Sequence, residues 1–284
     1  MHDDRVLPLF GSGLPLSRPL KGLYRDQTFP DHGRAGPWIY ANFVQTLDGR
    51  ISLIDELSGV EGVAASIADP RDWRLFQELA SHADVLLSSE RYLRDLQAGT
   101  AQDILPLGGS PDFLDLHASR RDKGLPPQPD VLVISASLNF TVPQLLLNQG
   151  RTIHILTTAD ADAALQRQRE SEGAIVHRLD AGQRVGGKAI ARTIGELGYQ
   201  RAYCATGPWV FHTLVADRVL DTLFLTTRHR LVAGNGGSFV AGPALEPPVD
   251  LALETLFLDL SSTVGQFYAR YRVREGAASR SGST

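Results

Sequence analysis

The residues with the clearest chemical meaning are Thr206-Gly207-Pro208, where a strand-like run meets a helix-like run. Arg201–Ala205 before them is apolar and strand-like, and Trp209–Asp217 after them has helical spacing. A helix that begins at such a turn presents unpaired N–H groups and the positive end of its dipole to an anion. Thr206 and Gly207 would let a pyrophosphate approach the backbone. A plain tight turn is the alternative interpretation.

Two serines follow another strand-like run. Asp84–Leu87 is typical of a buried strand, and Ser88 and Ser89 come directly after it. Ligands of open α/β sheets bind beyond the carboxyl ends of parallel strands, so these hydroxyls could hydrogen-bond a phosphate or a ribose. Serine is also a common N-cap, and the alternative is that the pair caps the following helix.

Basic and glycine-rich residues lie close together near the end of the chain. Arg228-His229-Arg230 precedes the turn Gly234–Phe239. Arg228 and Arg230 could meet a phosphate or carboxylate through charge-assisted hydrogen bonds. A solvated strand end is the alternative. Glycine turns alone are weak signals, so this one matters only through its position.

Composition restricts the class of protein. The 284 residues carry a formal net charge of −4 without a long basic run, which argues against nucleic acid as a partner. The single cysteine, Cys204, excludes an internal disulfide and a Cys-rich metal site. No run approaches the roughly 18 apolar residues that span a bilayer, and no signal peptide is recognisable. We expect a soluble cytoplasmic protein that binds a small molecule, without a metal and without a membrane partner.

The elements that would position these residues alternate between strand and helix from Trp38 onward. A helix should begin at Pro70 with Asp69 as its N-cap. Predicted strands are Ile39–Thr46, Asp84–Leu87, Asp130–Ser135, Thr152–Thr157, Ala174–Arg178, Arg201–Ala205 and Thr222–Thr227; further helices are Ala161–Glu172, Lys188–Leu197 and Trp209–Asp217. Leu253–Ser261 and Tyr268–Val273 are expected to form a closing antiparallel pair. This order predicts an α/β protein with a mixed sheet.

Three regions fall outside this alternation. Residues 1–36 are rich in Pro and Gly and are expected to form an irregular arm that packs on the domain or on a partner subunit. Residues 99–129 are expected to be a long loop. Residues 275–284 are expected to be a disordered tail. The domain itself would span residues 37–274. The apolar residues of the arm need a surface to cover them, so we expect a homodimer.

The segment from Asn42 to Ser52, NFVQTLDGRIS with its Asp48-Gly49 turn, resembles the "SLDG" opening of the pyrimidine reductases of riboflavin biosynthesis. Ala83–Leu96 and Arg201–Phe239 follow in the same order and at similar spacing as other landmarks of that family. The resemblance spans roughly residues 38–273. It implies a dihydrofolate-reductase-like fold, a mixed central sheet of about eight or nine strands flanked by helices.

The same resemblance implies NADPH as the cofactor and assigns residues to it. The cofactor residues would be Val44, Ser88, Ser89, Thr157, Thr206, Gly207, Pro208, Gly236 and Gly237, and the substrate residues Asn42, Asp48, Arg228 and Arg230. Val44 would also border the substrate side. No residue is identified as the catalytic proton donor.

Two alanines depart from the family pattern. Ala80 stands where the family has an arginine for the ribose phosphate of its substrate, and Ala205 stands where it has a glutamate for the pyrimidine. His82, near Ala80, is expected to be a surface or capping residue. We therefore expect an NADPH-dependent reductase for a different small heterocyclic, pyrimidine- or pterin-like, or carbonyl substrate. The alternative is a non-catalytic dimeric homolog that binds a nucleotide or a small regulator.

Overall fold

The computed structural model describes residues 4–11, 16–29, 36–57, 59, 61–64, 66–101, 105, 107–179 and 184–274. The strands are β1 (Arg5–Phe10), β2 (Arg18–Pro19), β3 (Trp38–Thr46), β4 (Leu53–Ile54), β5 (Glu61–Gly62), β6 (Val85–Ser89), β7 (Asp130–Ile134), β8 (Ile153–Thr158), β9 (Ile175–Leu179), β10 (Arg201–Cys204), β11 (Thr222–Arg228), β12 (Leu251–Asp259) and β13 (Gln266–Val273). The helices are α1 (Pro70–Ala80), α2 (Glu90–Gln97), α3 (Leu114–Asp122), α4 (Gln144–Asn148), α5 (Ala163–Ser171), α6 (Gly187–Glu196) and α7 (Pro208–Ala216). None of the helices in these ranges has both the length and the apolar character that a bilayer crossing needs.

One mixed sheet organises the described part of the chain, in the order β2-β1-β12-β13-β11-β3-β10-β6-β7-β8-β9. From β11 to β9 all neighbours are parallel. From β2 to β11 all neighbours are antiparallel, and the predicted closing pair is present as β12 and β13. The mixed sheet predicted from the alternation of elements is therefore confirmed.

The N-terminal arm differs from its prediction. The irregular conformation expected for residues 1–36 is wrong for Arg5–Phe10, which form β1 and pair with β12. The reason is alternation: Val6 points into the core while Leu7 and Leu9 point outward, which is the pattern of a half-buried strand. With β2, the arm adds two strands to the nine that run from β3 to β13 in this sheet. Parts of the arm, and the expected disordered tail 275–284, lie outside the described residues.

The sheet is covered on both faces because its strands alternate. In β3, Tyr40 packs into one core with Leu75 and Leu79 of α1. Ile39 packs into the opposite core with the buried residues of α6 and α7, Ile190, Ile194, Phe211 and Leu214. Successive side chains of a strand point to opposite faces, so one strand supports both layers. Helix α1 begins where predicted, since the Asp69 carboxylate accepts hydrogen bonds from the N–H groups of Arg71 and Asp72.

The long loop predicted for residues 99–129 is wrong for its middle, which forms a short 3-10 helix (Pro111–Phe113) and α3. Arg120 of α3 is fully buried. Its guanidinium donates to the carbonyls of Ala83, at 2.7 Å, and Pro126, at 2.8 Å. A buried arginine that pairs with backbone carbonyls fixes this segment onto the end of α1.

Two buried residues of the α1 region hold the arm. The Glu78 carboxylate accepts hydrogen bonds from the N–H groups of Gly22, Tyr24 and Arg25. The surface position expected for His82 is wrong, because its ring is buried and Nε2 lies 3.1 Å from the Tyr24 carbonyl. Burial lowers the pKa of His82 to about 3, and the positive charge of Lys123 adds to this effect.

Candidate functional site

A cavity of about 590 Å³ lies at the carboxyl ends of β3 and β10, against the first turns of α1. Its lining is mainly aromatic and aliphatic. The described lining residues are Asn42, Phe43, Val44, Ile51, Val63, Ala64, Ala68, Asp69, Pro70, Asp72, Trp73, Phe76, Tyr92, Ala205, Thr206 and Gly207. Of these, only Asp69 and Asp72 are carboxylic acids, and none is basic. A cavity of this size and character is typical of a small-molecule site.

Asp72 is the most chemically distinctive of these residues. It is buried, and the Oδ1 atom has no hydrogen-bond partner among the described residues. Burial raises the pKa of Asp72 to about 6; the hydroxyl of Thr226 opposes the rise and the charge of Asp69 adds to it. A carboxyl group in this state is partly protonated close to neutral pH, and its protonated form can donate to a molecule in the cavity.

Sequence reasoning missed Asp72. It lies in the first turn of α1, behind the cap Asp69 and Pro70. An acidic residue there has an ordinary explanation, since it complements the positive end of the helix dipole. Only the tertiary structure shows that this carboxyl faces a cavity and is shielded from water.

Arg228, predicted to bind substrate, lies behind the cavity wall. It is buried, so the alternative of a solvated strand end is wrong, and its Nη1 lies 3.0 Å from Oδ2 of Asp69. The Ser262 hydroxyl donates to the same Asp69 oxygen at 2.8 Å. Arg228 therefore forms an ion pair with Asp69, which lines the cavity together with Asp72. Arg230 donates to the Ser66 carbonyl at 3.3 Å and is not part of the cavity lining.

The strand–turn–helix predicted around Gly207 is present, and it opens onto the cavity. Gly207 is the N-cap of α7 and Pro208 its first residue, with no side chain capping the free N–H groups. A Cβ atom at Gly207 would meet nothing within 4 Å. The preceding Thr206 is only 8% exposed, and its hydroxyl has no partner among the described residues. These groups fit the diphosphate of a dinucleotide, since open N–H donors and a desolvated hydroxyl are what such an anion needs.

Other predicted cofactor residues lie along the same sheet edge but outside this cavity. Ser88 lies near the end of β6 and Thr157 near the end of β8; both hydroxyls are fully buried and lack partners among the described residues. Ser89 has the alternative role that its sequence allowed, since its Oγ accepts from the Tyr92 N–H at 3.3 Å and caps α2.

The substrate-side residues predicted from β3 separate into two groups. Asn42 and Val44 line the cavity, and Asn42 Oδ1 accepts from the Tyr203 hydroxyl at 2.9 Å. Asp48 is exposed and accepts from the Ala233 N–H at 2.8 Å. It holds the turn after β3 to the segment after β11, away from the lining residues.

The glycine turn at Gly236 and Gly237 packs against a neighbouring loop. A Cβ atom at Gly236 would collide with the Ser52 carbonyl oxygen. The Gly237 N–H donates to the Ser52 hydroxyl at 3.0 Å, and its carbonyl accepts from Ile51 at 3.0 Å. Ile51 lines the cavity, so this turn shapes one wall from behind. Within the described ranges, no three His, Cys, Asp or Glu side chains are placed to hold a metal ion.

Comparison with solved structures shows which known fold this chain has. No protein-family model and no curated protein matches the sequence. Among solved structures, a pyrimidine reductase-like protein from Corynebacterium diphtheriae matches with a TM-score of 0.62 at 18% identity, covering 84% of this chain and 92% of that one. The riboflavin biosynthesis reductase of Saccharomyces cerevisiae matches with a TM-score of 0.57 at 14% identity, covering 86% and 93%.

A third structure, RibD from Acinetobacter baumannii, matches with a TM-score of 0.57 at 11% identity; the match covers 84% of this chain and 58% of that longer one. These identities are low, so the likeness shows the fold. The mixed α/β sheet of this chain is the sheet of the pyrimidine reductases, as the resemblance implied, in a divergent sequence.

Proposed function

We propose that this chain is a reductase that uses a reduced nicotinamide dinucleotide to reduce a small heterocyclic, pyrimidine- or pterin-like, or carbonyl-containing substrate. The observation that carries the proposal is Asp72, a buried carboxyl with a raised pKa that faces an aromatic cavity. A strongly perturbed acid in a cleft is a candidate for proton transfer. Its position beside the open N-terminus of α7 brings an acid and an anion site together.

The cofactor would be held mainly by the turn before α7. Gly207 offers an open backbone, and neither the Thr206 hydroxyl nor the first N–H groups of α7 have a side-chain partner within the described part of the chain. When bound, the nicotinamide dinucleotide supplies the hydride. NADPH is the form that the family resemblance implies.

The cavity itself favours a flat, uncharged substrate. Trp73 and Phe76 stack on each other with ring centroids 5.1 Å apart, and Phe43 and Tyr92 complete the aromatic lining. Without a basic side chain in that lining, a phosphate on the substrate would have no charge partner there. Ala80, buried in α1, cannot supply one. The proposed substrate is therefore smaller than the phosphoribosylated aminopyrimidine of the riboflavin pathway.

The protein would contribute proton transfer, orientation and exclusion of water. The Asp72 carboxyl, which its burial keeps partly protonated near neutral pH, would donate its proton to a ring nitrogen or carbonyl oxygen of the substrate. Asn42 and Thr206 provide polar contacts at the cavity wall. A non-catalytic nucleotide-binding homolog would have no use for a protonated carboxyl at this point, so the reductase is the better account of the site.

The test combines binding and turnover on the intact chain. Calorimetric titration with NADPH and NADH should show binding of a reduced dinucleotide, and loss of nicotinamide absorbance should follow when aminopyrimidines, pterins or simple carbonyl compounds are added. Absence of binding by both dinucleotides would contradict the proposal. Binding without oxidation against the whole panel would favour the non-catalytic homolog.

A further inference from the structure

A half-buried carboxylate lies at the sheet edge beyond the cavity. Glu90 is the first residue of α2, directly after β6, and its side chain reaches the residues that follow β7. The Ser135 hydroxyl donates a short hydrogen bond to it, and the Ser137 hydroxyl donates at 2.9 Å. Burial works against its charge, but the hydrogen bonds from Ser135, Arg94 and Ser137 leave the pKa of Glu90 below its ordinary value. Glu90 is therefore anionic at neutral pH.

The two arginines of α2 are already paired. Arg94 lies 2.9 Å from the Glu90 carboxylate. Arg91, the next residue of α2, lies 3.2 Å from Glu61 and 3.7 Å from Asp95. The guanidiniums of Arg91 and Arg94 are thus each paired with a carboxylate of the chain itself, and a second anion would compete with those carboxylates.

Glu90 lies on the course that a long ligand would follow from α7. The sheet order at this edge is β10-β6-β7-β8, so the end of β7 is two strands from the turn at Gly207, or about 10 Å at ordinary strand spacing. Ser88 and Thr157, on the strands that flank β7, have buried hydroxyls without partners among the described residues. Ligands of such sheets lie across the carboxyl ends of the strands.

We infer that Glu90 makes this edge select a free ribose 2′-hydroxyl over a 2′-phosphate, so that the chain prefers NADH to NADPH. The inference rests on the proposed function. A carboxylate accepts a hydrogen bond from a ribose hydroxyl but repels a phosphate dianion. The hydroxyls of Ser135 and Ser137, which could otherwise donate to a phosphate, donate to Glu90 instead. The preference is opposite to the NADPH that the family resemblance implies.

Calorimetric titration of the full chain with NADH and NADPH tests this directly. The wild-type protein should bind NADH at least about tenfold more tightly, which is the scale of one charge-assisted contact. Glu90→Gln should reduce the ratio of the NADPH to the NADH dissociation constant roughly tenfold, mainly through tighter NADPH binding. Glu196→Gln is the matched control, because Glu196 forms an i,i+4 pair with Arg192 on α6 and should leave the ratio unchanged.

A second measurement covers the case in which Glu90→Gln does not fold. Displacement of bound NADH from the wild-type protein by AMP and by 2′,5′-ADP, which differ only in the 2′-phosphate, compares the two ribose forms without any substitution. AMP should compete better. The selectivity would be overturned if 2′,5′-ADP bound as tightly as AMP or more tightly, and NADPH as tightly as NADH or more tightly. An unchanged ratio of NADPH to NADH affinity in folded Glu90→Gln would also overturn it. Either result would leave the reductase proposal intact. If neither dinucleotide binds, both proposals fail together.

Discussion

At Asp72, local sequence and tertiary environment favour different roles for the same carboxyl. The helix dipole favours its charged form, and burial against an apolar cavity and the nearby charge of Asp69 favour its neutral form. Burial prevails, because the pKa of Asp72 is raised to about 6. The result is an acid that is still partly protonated near neutral pH.

The pH dependence of kcat/KM should reveal the titration of Asp72. If Asp72 donates a proton, kcat/KM should be level below about pH 6 and fall as the pH rises through that value, because the protonated form disappears. Asp72→Asn keeps the shape but cannot supply a proton, so kcat should fall by roughly a hundredfold or more and the pH dependence should vanish. Dinucleotide binding should be unchanged in the variant. A variant that keeps the wild-type rate would exclude Asp72 as the proton donor.

His82 gives a second residue-scale prediction, on stability. The folded pKa of His82, about 3, lies below the ordinary histidine value of 6.5, so the unfolded chain binds more protons between these values. Stability from His82 is thus fully present above pH 6.5 and is lost as the pH falls. Between pH 7 and pH 5, the free energy of unfolding of the wild type should drop by about 2 kcal/mol relative to His82→Gln. Denaturant titrations at the two pH values measure this difference, and parallel changes in both proteins would contradict it.

These residues show what sequence reasoning could not reach. The chemical types at Asp72, His82 and Arg228 are visible in the sequence, but their roles depend on burial by segments far away in the chain. His82 is buried against the arm, through Phe29 and Tyr24. Arg228 is neutralised by Asp69, more than 150 residues earlier. Pairings over such separations have no local signal, so the surface position expected for His82 and the solvated strand end considered for Arg228 were wrong.

At the scale of elements, helices and strands could be predicted from the sequence where the hydrophobic periodicity is undisturbed. Helix α1 was predictable from its cap and its spacing, and so was the Gly207 turn before α7. Strand β1 and helix α3 were missed because nearby Pro and Gly residues suggested irregular structure. Both depend on tertiary support: β1 pairs with β12, and α3 is held by the buried Arg120.

Two glycines should respond to substitution in opposite ways. Gly207→Val should leave the fold intact, since a Cβ there meets nothing within 4 Å, but its side chain should cover the N-terminus of α7 and block the dinucleotide. Gly236→Ala should lower the melting temperature, because its Cβ would collide with the Ser52 carbonyl. Thermal unfolding and calorimetric titration of both variants separate these effects. Normal cofactor affinity in a folded Gly207→Val would remove the turn from the proposed site.

The whole molecule has two unlike ends. The parallel strands from β11 to β9 carry the cavity and the edge that Glu90 occupies, at the carboxyl ends where ligands of such sheets bind. The antiparallel end, from β13 to β2, contributes none of the described residues that line the cavity. Its outward side chains include Leu7 of β1, which is paired with Leu258 of β12. This end has apolar surface without a role in the proposed chemistry.

We expect that surface to join two copies of the chain. Leu7 is 41% exposed and Leu9 is 52% exposed on the outward side of β1, and contiguous apolar residues of this kind mark protein–protein contacts. Light scattering should give about twice the monomer mass of 30.9 kDa.

Leu9→Glu should convert the protein to a monomer without unfolding it, because the side chain is outside the core. Leu57→Glu is the control, since Leu57 is 99% exposed and lies between β4 and β5, far along the chain from the arm. A wild-type mass of 30.9 kDa would rule the dimer out, and a dimer that persists in Leu9→Glu would place the interface elsewhere.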